Sequence, residues 1–207
     1  VTDAPRHIFG LVLLNDWSAR DVQKWEYQPL GPFNGKNFAT SISPWVVSLD
    51  ALKGYRLPGP PRSAGDPEML DYLKGEEKGA YDITVEVYLA SEKMRNAKME
   101  PVLLSKGSFA TMYWTIAQMA AHHTSTGANL RPGDLLGTGT ISGAGDGTKG
   151  CLLEIVEPGG KGILLPDGTY RQFLEDGDEV IMKAYAYHSG KPRIGFGEVR
   201  GIVKKAE

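Results

Sequence analysis

Residues Asn15 to Lys36 read NDWSARDVQKWEYQPLGPFNGK, and four of their side chains could act together on one small molecule. Asp16, Arg20, Gln23 and Tyr27 follow one another at steps of four, three and four. On a helix those steps stack side chains on one face. An acid, a guanidinium, an amide and a phenol would then point the same way, with Lys36 brought in behind them by a Gly-rich turn. Such a set suits a metal ion and an anionic, oxygen-rich ligand. Each member also has an ordinary role. Asp16 could be a helix N-cap, Arg20 its surface ion-pair partner, Gln23 a surface amide and Tyr27 part of the core. Lys36 in GPFNGKN lacks the spaced glycine and the following Ser/Thr of a phosphate loop. It is either a solvated loop lysine or a cation aimed at a developing oxyanion.

Further along, CLLEIVE reads as a strand in which Leu152, Glu154 and Val156 share one face and Leu153 and Ile155 the other. A carboxylate among apolar neighbours is costly unless paired, and its pKa would tend upward. Glu154 is therefore a candidate catalytic carboxylate or one half of a buried ion pair. Thr138, Thr140 and Ser142 alternate in GTGTISG and would line either a polar pocket or a solvent-facing strand. Gly145, Gly147 and Gly150 spell G-x-G-x-x-G, but a strand is expected next where a dinucleotide site needs a helix. His122 and His123 diverge by about 100° on a helix and suit its C-terminal end rather than one metal. No HExxH, CxxC or GxSxG occurs, which removes zinc-protease and serine-nucleophile chemistry from consideration.

The chain around these residues has 207 positions, enough for one domain with a buried core. Its 41% hydrophobic content excludes wholesale disorder. The net charge of −2 and the absence of a Lys/Arg cluster argue against a nucleic-acid partner. Its apolar runs fall far short of a membrane span, and Cys151 is the only cysteine, which fits a reducing compartment such as the cytoplasm.

The 26 glycines and 13 prolines favour many short strands joined by turns. Periodicity predicts strands at 8–14, 45–49, 81–89, 102–104, 135–141, 151–156, 162–165, 179–187 and 197–203. It predicts a short helix at 18–24, a Pro/Gly-rich excursion at 54–79, and one long helix at 109–123 capped by Ser108 and ended by Gly127. Asp167-Gly168 and Asp176-Gly177 are hairpin-type turn signals. The expected fold is mainly β (α+β), with sheets rolled into a sandwich or barrel beside that helix.

Several segments together resemble the C-terminal catalytic domain of the fumarylacetoacetase (fumarylacetoacetate hydrolase) family. They are HIFGLVLLNDWSARDVQKWEYQPLGPFNGKNF, SPWVV, SFATMYWTIAQMAAHH, NLRPGDLLGTGTISG, FLEDGDEVIM and GFGEVRG. The resemblance implies a mixed β-sandwich roll acting as a homodimer. It implies metal-dependent hydrolysis of a C–C bond in a small diketo acid, 4-fumarylacetoacetate, to fumarate and acetoacetate. That is the last step of tyrosine and phenylalanine breakdown. Asp16 would ligate a divalent metal, Ca²⁺ or Mg²⁺, and Lys36 and Thr40 match positions near a second ion, Lys36 through its backbone carbonyl. Arg20, Gln23 and Lys36 would bind and polarise substrate oxygens, and Tyr27 and Thr140 would be substrate contacts. Glu154 would orient and charge-balance a catalytic histidine. The family takes that histidine, an aspartate and a Glu-x-Glu pair from an upstream segment, and none of those motifs occurs here. Residues 1–207 are thus expected to be a single domain lacking an N-terminal segment. The shared NDxSARD pattern also admits an acylpyruvate hydrolase or an oxoacid decarboxylase, and the missing groups admit a non-catalytic binding or dimerisation module.

Overall fold

The structure, a computed structural model, describes residues 1–75, 78–156 and 160–206. In chain order its strands are β1 (Gly10–Leu11), β2 (Leu14–Asp16), β3 (Thr40–Ile42), β4 (Val47–Ser48), β5 (Arg56–Leu57), β6 (Ala80–Tyr81), β7 (Ile83–Ala90), β8 (Val102–Ser108), β9 (Ile163–Leu164), β10 (Tyr170–Arg171), β11 (Glu179–Ala186) and β12 (Ile194–Ile202). Its α-helices are α1 (Arg20–Glu26), α2 (Asn34–Asn37), α3 (Leu49–Leu52), α4 (Glu92–Asn96), α5 (Ile116–Thr124) and α6 (Leu152–Ile155). The fold is α+β. Helix is nearly as abundant as strand, about 23% against about 25%, because short helical turns fill the connections.

One four-stranded antiparallel sheet, ordered β12-β11-β7-β8, is the frame. Its strands form where β-branched and apolar residues alternate. Ile83 and Val85 of β7 are buried, while Thr84 and Glu86 are only partly covered. A register shift opposite Val87 and Tyr88 breaks the alternation, and Leu89 and Ala90 are then buried in succession. Two cores flank the frame. The larger joins Leu13, Val47, Leu52, Tyr55, Phe109 and Ile116 to the sheet, and the smaller gathers Leu89, Met94, Leu165 and Val180. Each fully buried Leu, Phe or Ile is worth roughly 1.5–3 kcal/mol, so these clusters supply most of the drive to fold.

Four expectations are corrected here. The long helix at 109–123 is two pieces, a 3-10 turn at Phe109–Thr111 and α5. Thr115 accepts the Gln118 N–H and Gln118 reaches back to the Thr115 backbone, a capping box that starts a new helix. Ser108 caps only the 3-10 turn. The strand at 135–141 does not form, since Gly139 takes φ +79, which ends an extended alternation, and Leu135 and Leu136 stay exposed. The strand at 151–156 is the short helix α6. The strand at 8–14 divides into β1 and β2, yet Leu13 between them stays paired: its N–H donates to Ser43 Oγ and its carbonyl accepts from Ser43 N. Of the two Asp-Gly signals, Asp167-Gly168 forms the tip of the β9–β10 hairpin, and Asp176-Gly177 is a turn entering β11.

Two contacts tie the Asp16 segment to the frame. β2 pairs antiparallel with β3, with Asp16 opposite Thr40. The Trp17 indole donates to Ser41 Oγ at 2.9 Å and lies so close to Gly201 of β12 that an added Cβ would sit 2.5 Å from Trp17 Cζ2. Only glycine permits that approach.

Candidate active site

The chain leaves β2 at Asp16, turns through Trp17 to Ala19, runs along α1 and returns through a loop to α2. α1 begins at Arg20 because Ala19 is extended, and the Asp16 carboxylate takes no part in capping it. The single helical face expected for Asp16, Arg20, Gln23 and Tyr27 therefore does not exist: Asp16 is on a strand, Arg20 and Gln23 are on the helix, and Tyr27 is its C-cap. The convergence comes from the loop instead. Glu26 holds that loop by accepting three backbone N–H groups, from Phe33 (2.7 Å), Asn34 (3.0 Å) and Gly35 (2.6 Å). Partial burial pushes its carboxyl up, and these three donors more than offset it, leaving the pKa below the usual carboxylate value. Gly35 O accepts from Ala19 N, and a Cβ on Gly35 would lie 2.8 Å from the Gln23 backbone. Glycine is thus required for α2 to dock on α1, and the next residue, Lys36, is delivered to the start of the helix.

Lys36 is the hub of what results. Its ammonium pairs with Asp16 Oδ2 at 2.7 Å, donates to Ser18 Oγ at 2.8 Å and reaches the Asp16 carbonyl at 3.2 Å. Arg20 Nη1 donates to Gln23 Oε1 at 2.9 Å. That bond occupies the amide oxygen and leaves the Gln23 NH₂ as a donor.

Glu154 lies in the short helix α6, exposed, and not within a strand between apolar faces. Its pKa is lowered, not raised. The chief cause is the Ser142 hydroxyl, donating to Oε2 at 2.8 Å, with partial burial opposing it and the Cys151 thiol at 3.2 Å adding to it. The Cys151 thiol is pushed up, first by burial and then by its bond to Glu154, while the Arg20 charge opposes that rise. Thr140 sits in coil and exposed, with its methyl against Gly150, one residue before Cys151. Tyr27 is half-exposed, and its hydroxyl makes no hydrogen bond among the described residues. Asp16, Lys36, Thr40, Arg20 and Gln23 thus lie on the β2–α1–α2 return, Glu154 and Thr140 stand on the 140–154 segment, and Tyr27 ends α1.

Sequence reasoning missed Glu26, Ser18 and Cys151. A carboxylate seven to nine residues ahead of a Gly-rich turn was the available signal for Glu26.

The model of the family described as fumarylacetoacetate (FAA) hydrolase C-terminal matches residues 1–204. The chain belongs to this FAA hydrolase C-terminal family. Among curated members, fumarylacetoacetase of Homo sapiens is 49% identical over 206 residues, covering 100% of this chain and 47% of that protein. Fumarylacetoacetase of Arabidopsis thaliana is 49% identical over 203 residues, 98% of this chain and 46% of that protein. The Dictyostelium discoideum fumarylacetoacetase is 44% identical over 209 residues, 100% of this chain and 47% of that protein. The chain spans about half the length of the curated FAA hydrolase relatives it matches.

Proposed function

We propose that this chain is the C-terminal catalytic part of a fumarylacetoacetase. The reaction is metal-dependent hydrolysis of the C–C bond of 4-fumarylacetoacetate to fumarate and acetoacetate, at the end of tyrosine and phenylalanine breakdown. The proposal includes the mixed β-sandwich roll, residues 1–207 as a single domain completed by an upstream segment, a homodimer, cytoplasmic residence and no nucleic-acid or membrane partner. No described helix is long and apolar enough to cross a membrane. One observation carries the reading: Lys36 is bonded to Asp16, and Arg20 to Gln23, on the β2–α1–α2 return of a chain 49% identical to proteins named fumarylacetoacetase.

The divalent cation, Ca²⁺ or Mg²⁺, would meet Asp16 as its carboxylate, with Lys36 and Thr40 beside it. Such hard cations take roughly six to eight oxygens when calcium and six when magnesium. Among the described residues no three His, Cys, Asp or Glu converge to hold a metal, and Lys36 already pairs with Asp16. The described residues do not by themselves form the cage. The roles that follow are those of the chain's own donors.

Cleaving a β-diketone with water requires attack on one carbonyl, rupture of the adjacent C–C bond and a home for the electron pair as an enolate. Lys36 and Arg20 supply cationic donors for the developing oxyanions, and the Gln23 amide orients the substrate. Thr140 and Tyr27 are the proposed substrate contacts. Glu154, held ionised by Ser142 and Cys151, charge-balances the group that activates water.

The test is hydrolysis of 4-fumarylacetoacetate by the full-length polypeptide, with chelator and with Ca²⁺ or Mg²⁺ restored. Lys36→Met should lower kcat by about 10²–10³, the typical worth of one oxyanion donor, with a much smaller change in KM. Full kcat in that variant would remove Lys36 from its role. Turnover of acylpyruvates without turnover of fumarylacetoacetate would move the chain to a sister activity.

A further inference from the structure

We propose that Ser142 and Cys151 are positioning residues for Glu154: hydroxyl and thiol both donate to Oε2, fix the carboxylate in one orientation and leave Oε1 for a further donor. The inference rests on the reading of Glu154 as an active-site carboxylate. Its geometry is built from both ends of one loop. Gly143 N–H donates to Thr148 O at 3.0 Å and Lys149 Nζ to Gly143 O at 2.7 Å, so residues 143 and 148–149 are clamped together. That closure brings Ser142 to Gly150, whose N–H donates to Ser142 Oγ at 3.0 Å. With an acceptor site so occupied, the hydroxyl's one hydrogen points at Glu154 Oε2, 2.8 Å away. The thiol reaches the same oxygen at 3.2 Å from the residue ahead of α6. An exposed carboxylate ordinarily turns freely in water. Here two side-chain donors from different parts of the loop select one oxygen, which is the organisation a reacting group needs from its supporting shell. The charged groups facing this cluster are Lys149 and Arg20, and both favour the ionised carboxylate or thiolate.

Cys151 is the only cysteine in the chain, so its thiol is a built-in reporter on Glu154. The experiment follows iodoacetamide alkylation of Cys151 against pH in the 207-residue chain and in Glu154→Gln, Ser142→Ala and Ser142→Thr. Removing the carboxylate charge in Glu154→Gln should bring the thiol midpoint down and speed alkylation at mildly alkaline pH about three- to tenfold, one pH unit being tenfold in thiolate. Ser142→Ala leaves the thiol as the side-chain donor and should move the midpoint up, and Ser142→Thr should restore it. Coincident midpoints in wild type, Glu154→Gln and Ser142→Ala overturn the proposal. In a form that hydrolyses fumarylacetoacetate, Ser142→Ala should also raise the acidic limb of the kcat/KM profile and Ser142→Thr return it. Normal turnover with an unmoved limb equally overturns it. Coupled thiol midpoints with no turnover in any form sink the substrate assignment and leave the positioning intact.

Discussion

Two ion pairs of equal length do opposite work in this molecule. Lys36 meets Asp16 at 2.7 Å with side chains 27% and 52% exposed. Arg171 meets Asp178 at 2.7 Å with side chains 7% and 0% exposed. The second pair is a fork, Nε to Oδ2 and Nη2 to Oδ1, and Glu175 N–H adds a further donor to Asp178. It sits where the β9–β10 hairpin meets the entry to β11, beside Asp167, which accepts from Ser91 and Thr169. Charges taken out of water must be matched completely, so that network is saturated and rigid. The Lys36 pair stays half in water, where solvent can replace either partner, which suits a site that must exchange partners. Distance alone does not tell a rigid buried pair from one open to exchange; burial does.

The comparison breaks most visibly at Asp178. Asp178→Ala leaves the Arg171 guanidinium buried without its main partner and should cost about 3–5 kcal/mol, read as a lowered midpoint in chemical denaturation. A loss below about 1 kcal/mol would mean that the two pairs do not differ in kind. Lys36→Met is the mirror case: its denaturation midpoint should shift by no more than an exposed pair is worth, about 0–1 kcal/mol, while kcat collapses. Glu26→Gln sharpens the contrast further, because the lost carboxylate holds a loop and no core. Catalytic rate should fall with little change in thermal midpoint, and an unchanged rate would show that Lys36 is placed without it.

The smallest effect is in acid. Asp167 is held at about 2, against an ordinary value of 3.8, chiefly by the Ser91 and Thr169 hydroxyls. Its folded pKa is depressed, so its contribution is present above the unfolded value and is lost as pH falls through the folded one. The stability gap between wild type and Asp167→Asn should therefore shrink between about pH 4 and pH 2. A gap independent of pH in that window would assign the stabilisation to shape rather than charge.

How far the sequence was legible follows from the range of the forces involved. The strands β7, β11 and β12, the helix at the Arg20 segment and the Asp167-Gly168 turn were readable because alternation and turn chemistry act over a few residues. The long helix was misread although T-I-A-Q at 115–118 carries a capping-box signature, because the apolar spacing ran straight across it. For Glu154, LLEIV satisfies a strand and a short helix equally well, and the structure closes it as α6 with Val156 N–H donating to Leu152 O.

By itself the sequence determined the chemical inventory: an acid, a guanidinium, an amide and an ammonium within one short stretch, and a lone carboxylate downstream among apolar residues. Tertiary structure alone decided how they meet. Asp16 and Lys36 are twenty residues apart and are joined because β2 pairs with β3, Trp17 lies on Gly201 and Glu26 gathers the returning loop. Those contacts are strand pairing, close packing and side-chain-to-backbone bonds that reach beyond one helical turn, and no local periodicity encodes them.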